Sequence, residues 1–252
     1  MKNIMKILSS VIALVMIIST ISCISIVASA ESDANWTISF VKLNGDVFEE
    51  VNSVKPGEEF YLAVGIEDYD LIGEMVDAYD EDGVLDYTAT AYNNVISCAT
   101  IIIDCDEGAE IDASEIITPY DLATVETNFK DNQFRAIMWA DKSSGGLDCP
   151  ITKSDLDANN GVLFYVKATA GEERTLSYNV NPGTNSAATS ISVINKVAGV
   201  TINSLVHLSS ISMSGYDVVY KLDVTSTDVP QGPTYVEGLA IYGCSTIFQS
   251  DY

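Results

Sequence analysis

Apolar and polar residues alternate along most of this chain, and alternation at a period of two marks strands that bury one side. "EEFYLAVGIED" is the clearest run: Phe60, Leu62, Val64 and Ile66 share one face, while Glu59, Tyr61, Ala63 and Gly65 share the other. "FRAIMWAD" places Phe134, Ala136, Met138 and Ala140 inward and Arg135, Ile137 and Trp139 outward. "GVLFYVKATA" places Val162, Phe164, Val166 and Ala168 inward and Leu163, Tyr165 and Lys167 outward, and "CATIIIDCD" presents Thr100, Ile102 and Asp104. Further short runs, "WTISFVKL", "TLSYNV", "TSISVINK", "VAGVTIN" and "YDVVYKLDV", are rich in β-branched and aromatic residues and bounded by Gly, Pro, Asn or Asp. About nine such strands without intervening helices predict an all-β sandwich or barrel.

Two stretches break the pattern. "ASEIITPYDLATVE" predicts a helical turn or two near Ala113 to Leu122, and "LIGEMVDAYDEDG" reads as an acidic loop or a short helix. Pro56-Gly57 makes the turn that launches the strand at Glu59. No period of 20 to 50 residues repeats, which excludes solenoids and propellers. The chain divides into residues 1–30, a sandwich over 31–212, and 213–252, which is either a β extension of that sandwich or the start of a further unit.

Residues 1–30 read as a secretory signal peptide. Lys2 and Lys6 precede the apolar run around "VIALVMIIST", and Ala28-Ser29-Ala30 supplies the small-x-small cleavage pattern. A lipid anchor on Cys23 is the rival ending, opposed by Thr20 where Leu is usual in such a motif. Past residue 30 no apolar run is long enough to span a bilayer, and "STIFQSDY" carries no sortase-type signal. The protein is therefore expected to be secreted, extracellular or held at the cell surface.

Charge narrows the partners. Without residues 1–30, ten Lys and Arg face thirty-six Asp and Glu, a formal charge of −26, which repels phosphate backbones and excludes nucleic acid. Cys98, Cys105, Cys149 and Cys244 remain, and the odd spacing of Cys98 and Cys105 puts them on opposite faces of one strand; mostly free, part-buried thiols are expected.

Catalytic chemistry is sparse. His207 is the lone histidine, with no nucleophile elbow and no paired zinc ligands. "DLDANNG" departs from a calcium hand, with Gly161 one place late and Val166 at position twelve, and reads as a polar turn. "YDEDGVLD", with Asp80, Asp82 and Asp86, is a looser oxygen-rich loop that could hold calcium weakly.

The order of "VKPGEEFYLAVGI", "CATIIIDCDEGAEI", "VETNFKDNQFRAIMWAD" and "NNGVLFYVKATA", over about Trp36 to Asn181, resembles a cohesin module of cellulosome-type scaffolds. It departs from that pattern in the acidic insertion Tyr69 to Asn94, in "IDCD", and after Pro182. The resemblance implies a jelly-roll sandwich, the architecture shared with family 2 and 3 carbohydrate-binding modules. It also implies a non-catalytic role in polysaccharide degradation, with one sheet face docking a dockerin. That partner is a small helical module that carries its own two calcium loops, so the chain itself needs no cofactor. The face expected to dock combines Thr100, Ile102, Asp104, Arg135, Ile137, Trp139, Leu163, Tyr165 and Lys167, mixing aliphatic, aromatic and Arg groups as interface centres do. A carbohydrate ligand is the alternative, with Tyr79, Tyr87 and Tyr92 as a stacking platform.

Overall fold

The computed structural model describes residues 34–121, 124–143, 146–184, 187–201 and 208–226. Residues 1–30, read above as a signal peptide and including Cys23, lie outside them, as do His207 and Cys244. In chain order the elements are β1 (Ala34–Asn44), β2 (Val47–Glu50), β3 (Ser53–Val54), β4 (Glu59–Glu67), β5 (Met75–Val76), β6 (Ala91–Cys105) and β7 (Ala109–Ile117). Then come β8 (Thr124–Lys130), β9 (Gln133–Trp139), β10 (Asp141–Ser143), β11 (Gly146–Asp148), α1 (Lys153–Ala158), β12 (Val162–Ala170) and β13 (Arg174–Val180). The chain finishes with β14 (Gly183–Thr184), β15 (Ala187–Ala188), β16 (Ser190–Lys196), β17 (Leu208–Ser210), β18 (Met213–Ser214) and β19 (Tyr220–Val224). Nine of these strands have seven residues or more, matching the nine alternating runs in number, and the fold is the expected all-β jelly-roll sandwich.

One sheet runs β18-β1-β4-β12-β7, with β2 paired to β1. The other is built around β6, whose fifteen residues are long enough to take β16 and then β13 along one side and β5 and β9 along the other. β8 extends that sheet beyond β9, and β19 and β3 extend it beyond β13. The inward faces meet in one core. Trp36, Phe60, Leu62, Val64 and Phe164 come from the first sheet, and Ile101, Ile103, Phe134, Met138 and Tyr178 from the second. Phe134 and Phe164 face each other across the sandwich with centroids 6.1 Å apart, as do Phe40 and Tyr178 at 5.4 Å. Full burial of each such side chain stabilises by about 1.5–3 kcal/mol.

The alternation in β4 and β9 is as expected: Phe60, Leu62, Val64 and Ile66, and Phe134, Ala136 and Met138, are buried. Other expectations are corrected. Ala113 to Leu122 holds no helical turn through Asp121, because β7 continues to Ile117 and pairs with β12. The insertion has no helix either; β5 joins the edge of β6, and Tyr79 bridges Leu85. "DLDANNG" is not a simple turn. Thr152 and Asp155 form a reciprocal capping box that starts α1, Leu156 buries its inner side, and the left-handed pair Asn160 and Gly161 ends it. Gly161 is obligatory there: φ is +73° and a Cβ would sit 2.1 Å from the Ile66 carbonyl oxygen. "VAGVTIN" forms no strand through residue 201.

Residues 213–226 contribute to both sheets. β18 pairs in parallel with the start of β1, and β19 lies between β13 and β3. The sandwich thus continues past residue 212, and in its described part the tail extends sheet edges in plane. No described helix is long and apolar enough to cross a membrane.

Candidate functional site

The outer surface of the larger sheet is organised by register. Cys98 lies opposite Trp139, Thr100 opposite Ile137, Ile102 opposite Arg135 and Asp104 opposite Gln133. On the far side of β9, Glu126, Asn128 and Lys130 of β8 continue the last three of these rows. Side chains two apart on a strand share a face, so these rows form one surface with Ile137 near its centre. Ile137 is 38% exposed, a large apolar side chain on the open face of the sheet.

One end of the surface is a fixed polar network. The Arg135 Nε–H donates to Gln133 Oε1 at 2.9 Å, Gln133 Nε2 donates to Asp104 at 2.8 Å, and Asn181 Nδ2 donates to the other Asp104 oxygen at 2.7 Å. Beside it, Asn128, Lys130, Asp131, Gln133 and Arg135 line a shallow hollow of about 320 Å³. At the other end Trp139 is half-buried, next to Cys98, whose thiol pKa is raised by burial. Ile102 is not available to a partner. It is buried at the point where β13 and β16 part, with Asn181 N–H donating to its carbonyl and its own N–H donating to Thr189 Oγ1.

Leu163, Tyr165 and Lys167 do not join this face. β12 belongs to the smaller sheet, so they lie on the other side of the sandwich from β6 and β9. Leu163 points inward and is fully buried, because the register against β4 shifts between Val162 and Phe164 and turns two successive residues toward the core. Tyr165 stacks on Phe48 with centroids 3.8 Å apart and planes 10° apart, and Tyr61 meets Phe48 edge-on at 5.3 Å. Lys167 Nζ lies 2.9 Å from Glu59 and 3.0 Å from Glu115, and hydrogen bonds to both raise its pKa.

β8 is not among the strands expected from the alternating runs. Its signal was present: "TVETNFK" alternates, and Asp131 and Asn132 both take left-handed φ, 54° and 57°, in the two-residue hairpin that sets β8 against β9.

The other candidates separate. Tyr79 is exposed, Tyr87 half-buried and Tyr92 buried with its hydroxyl bonded to the Leu147 backbone, so the three do not make one platform. Asp80 accepts from the N–H groups of Asp82 and Val84, each at 2.9 Å, and Asp86 accepts from Thr88 and Ala89. Among the described residues no group of three His, Cys, Asp or Glu side chains is placed to share a metal ion. Cys98 and Cys105 are free thiols, and burial pushes the Cys105 thiol up to about 12.

No family model and no curated protein matches this chain. Solved structures to which it is similar are cohesin modules. The third ScaB cohesin of R. flavefaciens, in complex with a group 1 dockerin, is 16% identical, with 79% of this chain and 99% of that one covered and a TM-score of 0.37. A type III cohesin module from the ScaE cell-surface anchoring scaffoldin of Ruminococcus flavefaciens is 11% identical over 75% and 92%, with a TM-score of 0.38. A non-cellulosomal cohesin from the archaeon Archaeoglobus fulgidus is 12% identical over 68% and 84%, with a TM-score of 0.35.

Proposed function

We propose that this protein is an exported, non-catalytic binding module that docks a dockerin-like helical partner through the outer face of β8, β9 and β6. The observation that carries this reading is the exposed Ile137, flanked by Trp139 and Arg135 on one strand and by Thr100, Glu126 and Asn128 on its neighbours. An apolar centre inside a polar rim is the composition of a protein interface. An open sheet face suits the side of a helix, whereas a small substrate needs an enclosed pocket. Calcium in this reading belongs to the partner and not to this chain, and the complex serves polysaccharide degradation outside the cell.

The carbohydrate alternative rests on Tyr79, Tyr87 and Tyr92, which fit it poorly: Tyr79 is exposed, Tyr87 half-buried, and Tyr92 buried with its hydroxyl bonded to the Leu147 backbone.

The test is affinity capture from the secreted and envelope proteins of the source organism, in calcium and again with a chelator, using the wild type and Ile137→Asp. Capture of a protein with paired calcium loops, lost on chelation and lost in the variant, is the expected result. Empty capture together with retention on insoluble polysaccharide would replace this reading with the carbohydrate one.

A further inference from the structure

The chain has two arginines against thirty-six carboxylates, and they are placed differently. Arg174 Nη2 lies 2.9 Å from Asp106. Arg135, on the outer face of β9, has no carboxylate within ion-pair distance among the described residues. Its Nε–H and an Nη2–H both donate to Gln133 Oε1 instead. Gln133 is oriented in turn by Asp104, which accepts from Gln133 Nε2 at 2.8 Å on one oxygen and from Asn181 and Asn179 at 2.7 and 3.4 Å on the other. Three amides therefore occupy the carboxylate nearest in the network, and Arg135 meets only the neutral end of the relay.

The relay fixes the guanidinium by its Nε side and leaves the Nη1 and remaining Nη2 donors at its tip. Two parallel N–H groups are the edge that takes a carboxylate in a bidentate pair, and a side chain ordered beforehand loses less on binding. Arg135 also lines the 320 Å³ hollow with Asn128, Lys130, Asp131 and Gln133. Lys130 adds a second cation there, offset by Asp131 at 3.9 Å in a pair that is largely exposed and weak. The acidic chain repels anions at long range, but at ~0.15 M salt that field is screened within about 8 Å, and contact with the guanidinium decides.

Arg135 and Ile137 are two residues apart on one strand face, about 7 Å along β9. One helical turn rises about 5.4 Å. A helix whose apolar side chain covers Ile137 thus brings a residue one turn away over Arg135.

We propose that Arg135 sets the specificity of the docking face by taking a Glu or Asp carboxylate that the partner carries one turn from the residue covering Ile137, with Gln133 as a positioning residue. This rests on the docking reading above and adds the partner's chemistry to it.

The test titrates the whole protein, labelled with nitrogen-15 and at its Ile methyl groups, with an alanine-based helical peptide carrying one Leu and a Glu four residues to either side. A second peptide has Gln in place of each Glu. Two arginines give two side-chain Nε–H signals, which Arg174→Lys assigns. The Glu peptide is expected to move the Arg135 and Ile137 signals and to bind about fivefold more tightly than the Gln peptide, a preference that shrinks at ~0.5 M salt. Arg135→Gln is expected to erase the preference while binding the Gln peptide as the wild type does and keeping the thermal transition. A preference that survives Arg135→Gln, or an Arg135 signal that ignores the Glu peptide, overturns the proposal. Ile137 moving alike with both peptides, at equal affinity, removes the carboxylate site and keeps the docking face. Ile137 unmoved by either removes the docking face, and this proposal with it.

Discussion

The outward residues of β12 and of β9 sit on the two sheets of one sandwich and follow the same alternating pattern, yet they end in opposite states. On the smaller sheet the outward side chains of β12 are engaged within the chain: Phe48 lies over Tyr165, and Lys167 sits between Glu59 and Glu115. On the larger sheet the polar end is tied into its own network through Gln133 and Asp104, while Ile137 is left open. Outward position alone therefore does not make a binding residue. What distinguishes the two strands is whether the chain supplies its own partner, and over β12 the β1–β2 hairpin supplies Phe48.

This contrast predicts a crossed outcome. Ile137→Asp is the largest expected effect on partner binding, on the order of 100-fold, as for the centre of an interface. Its effect on stability is small, no more than about 1 kcal/mol from the weaker strand preference of Asp. Isothermal titration against the captured partner and a thermal melt measure the two together. If the melt collapses while the residual folded protein still binds, Ile137 belongs to the core and the contrast fails.

Phe48→Ala should behave in the opposite way. The ring is half-buried and makes two aromatic contacts, so its loss is expected to cost about 2 kcal/mol of stability, roughly 4–8 °C in Tm. Affinity for the partner should stay within about twofold of the wild type. A loss of affinity without a change in Tm would make the smaller sheet the docking face instead.

Much of the fold was legible because local pattern and local burial coincide. Alternation named the inward residues of β4 and β9, and Pro56-Gly57 marked the turn before β4. The docking face was legible only in part, for a different physical reason. Alternation tells which side of its own strand a residue occupies, whereas the sheet that a strand joins depends on pairings distant in sequence. β12 could be read as outward at Tyr165 and Lys167, yet nothing local said that it pairs with β4 and β7 and not with β9. Leu163 fails for a local reason that alternation cannot carry, a one-residue register shift. Ile102 is buried where a segment more than seventy residues away bonds its backbone. The helix at Lys153 was within reach, since Thr152 and Asp155 are three apart, as a capping box requires.

The smallest effect probes how far ion pairs, as opposed to aromatic stacking, complete the smaller sheet's dressing. Glu58 follows the Pro56-Gly57 turn, and its carboxylate lies 2.7 Å from Lys42 Nζ and accepts from the Lys55 N–H at 2.7 Å. The Lys42 contact foremost, and then the backbone bond, hold its pKa below the ordinary carboxylate value. A carboxylate depressed in the folded state contributes stability above its unfolded pKa of about 4.3, and the contribution is lost as pH falls through the lower folded value. Glu58→Gln keeps an acceptor for the Lys55 N–H but removes the charge. At this exposure its cost at pH 7 is expected to be below about 1 kcal/mol, and the gap between variant and wild type should narrow as falling pH protonates the wild-type carboxyl. Denaturant titrations of both proteins from pH 7 downward decide it. A gap that does not narrow would mean that Glu58 acts through the shape of the turn and not through its charge, leaving the stacked rings and Lys167 to distinguish this face from the open one.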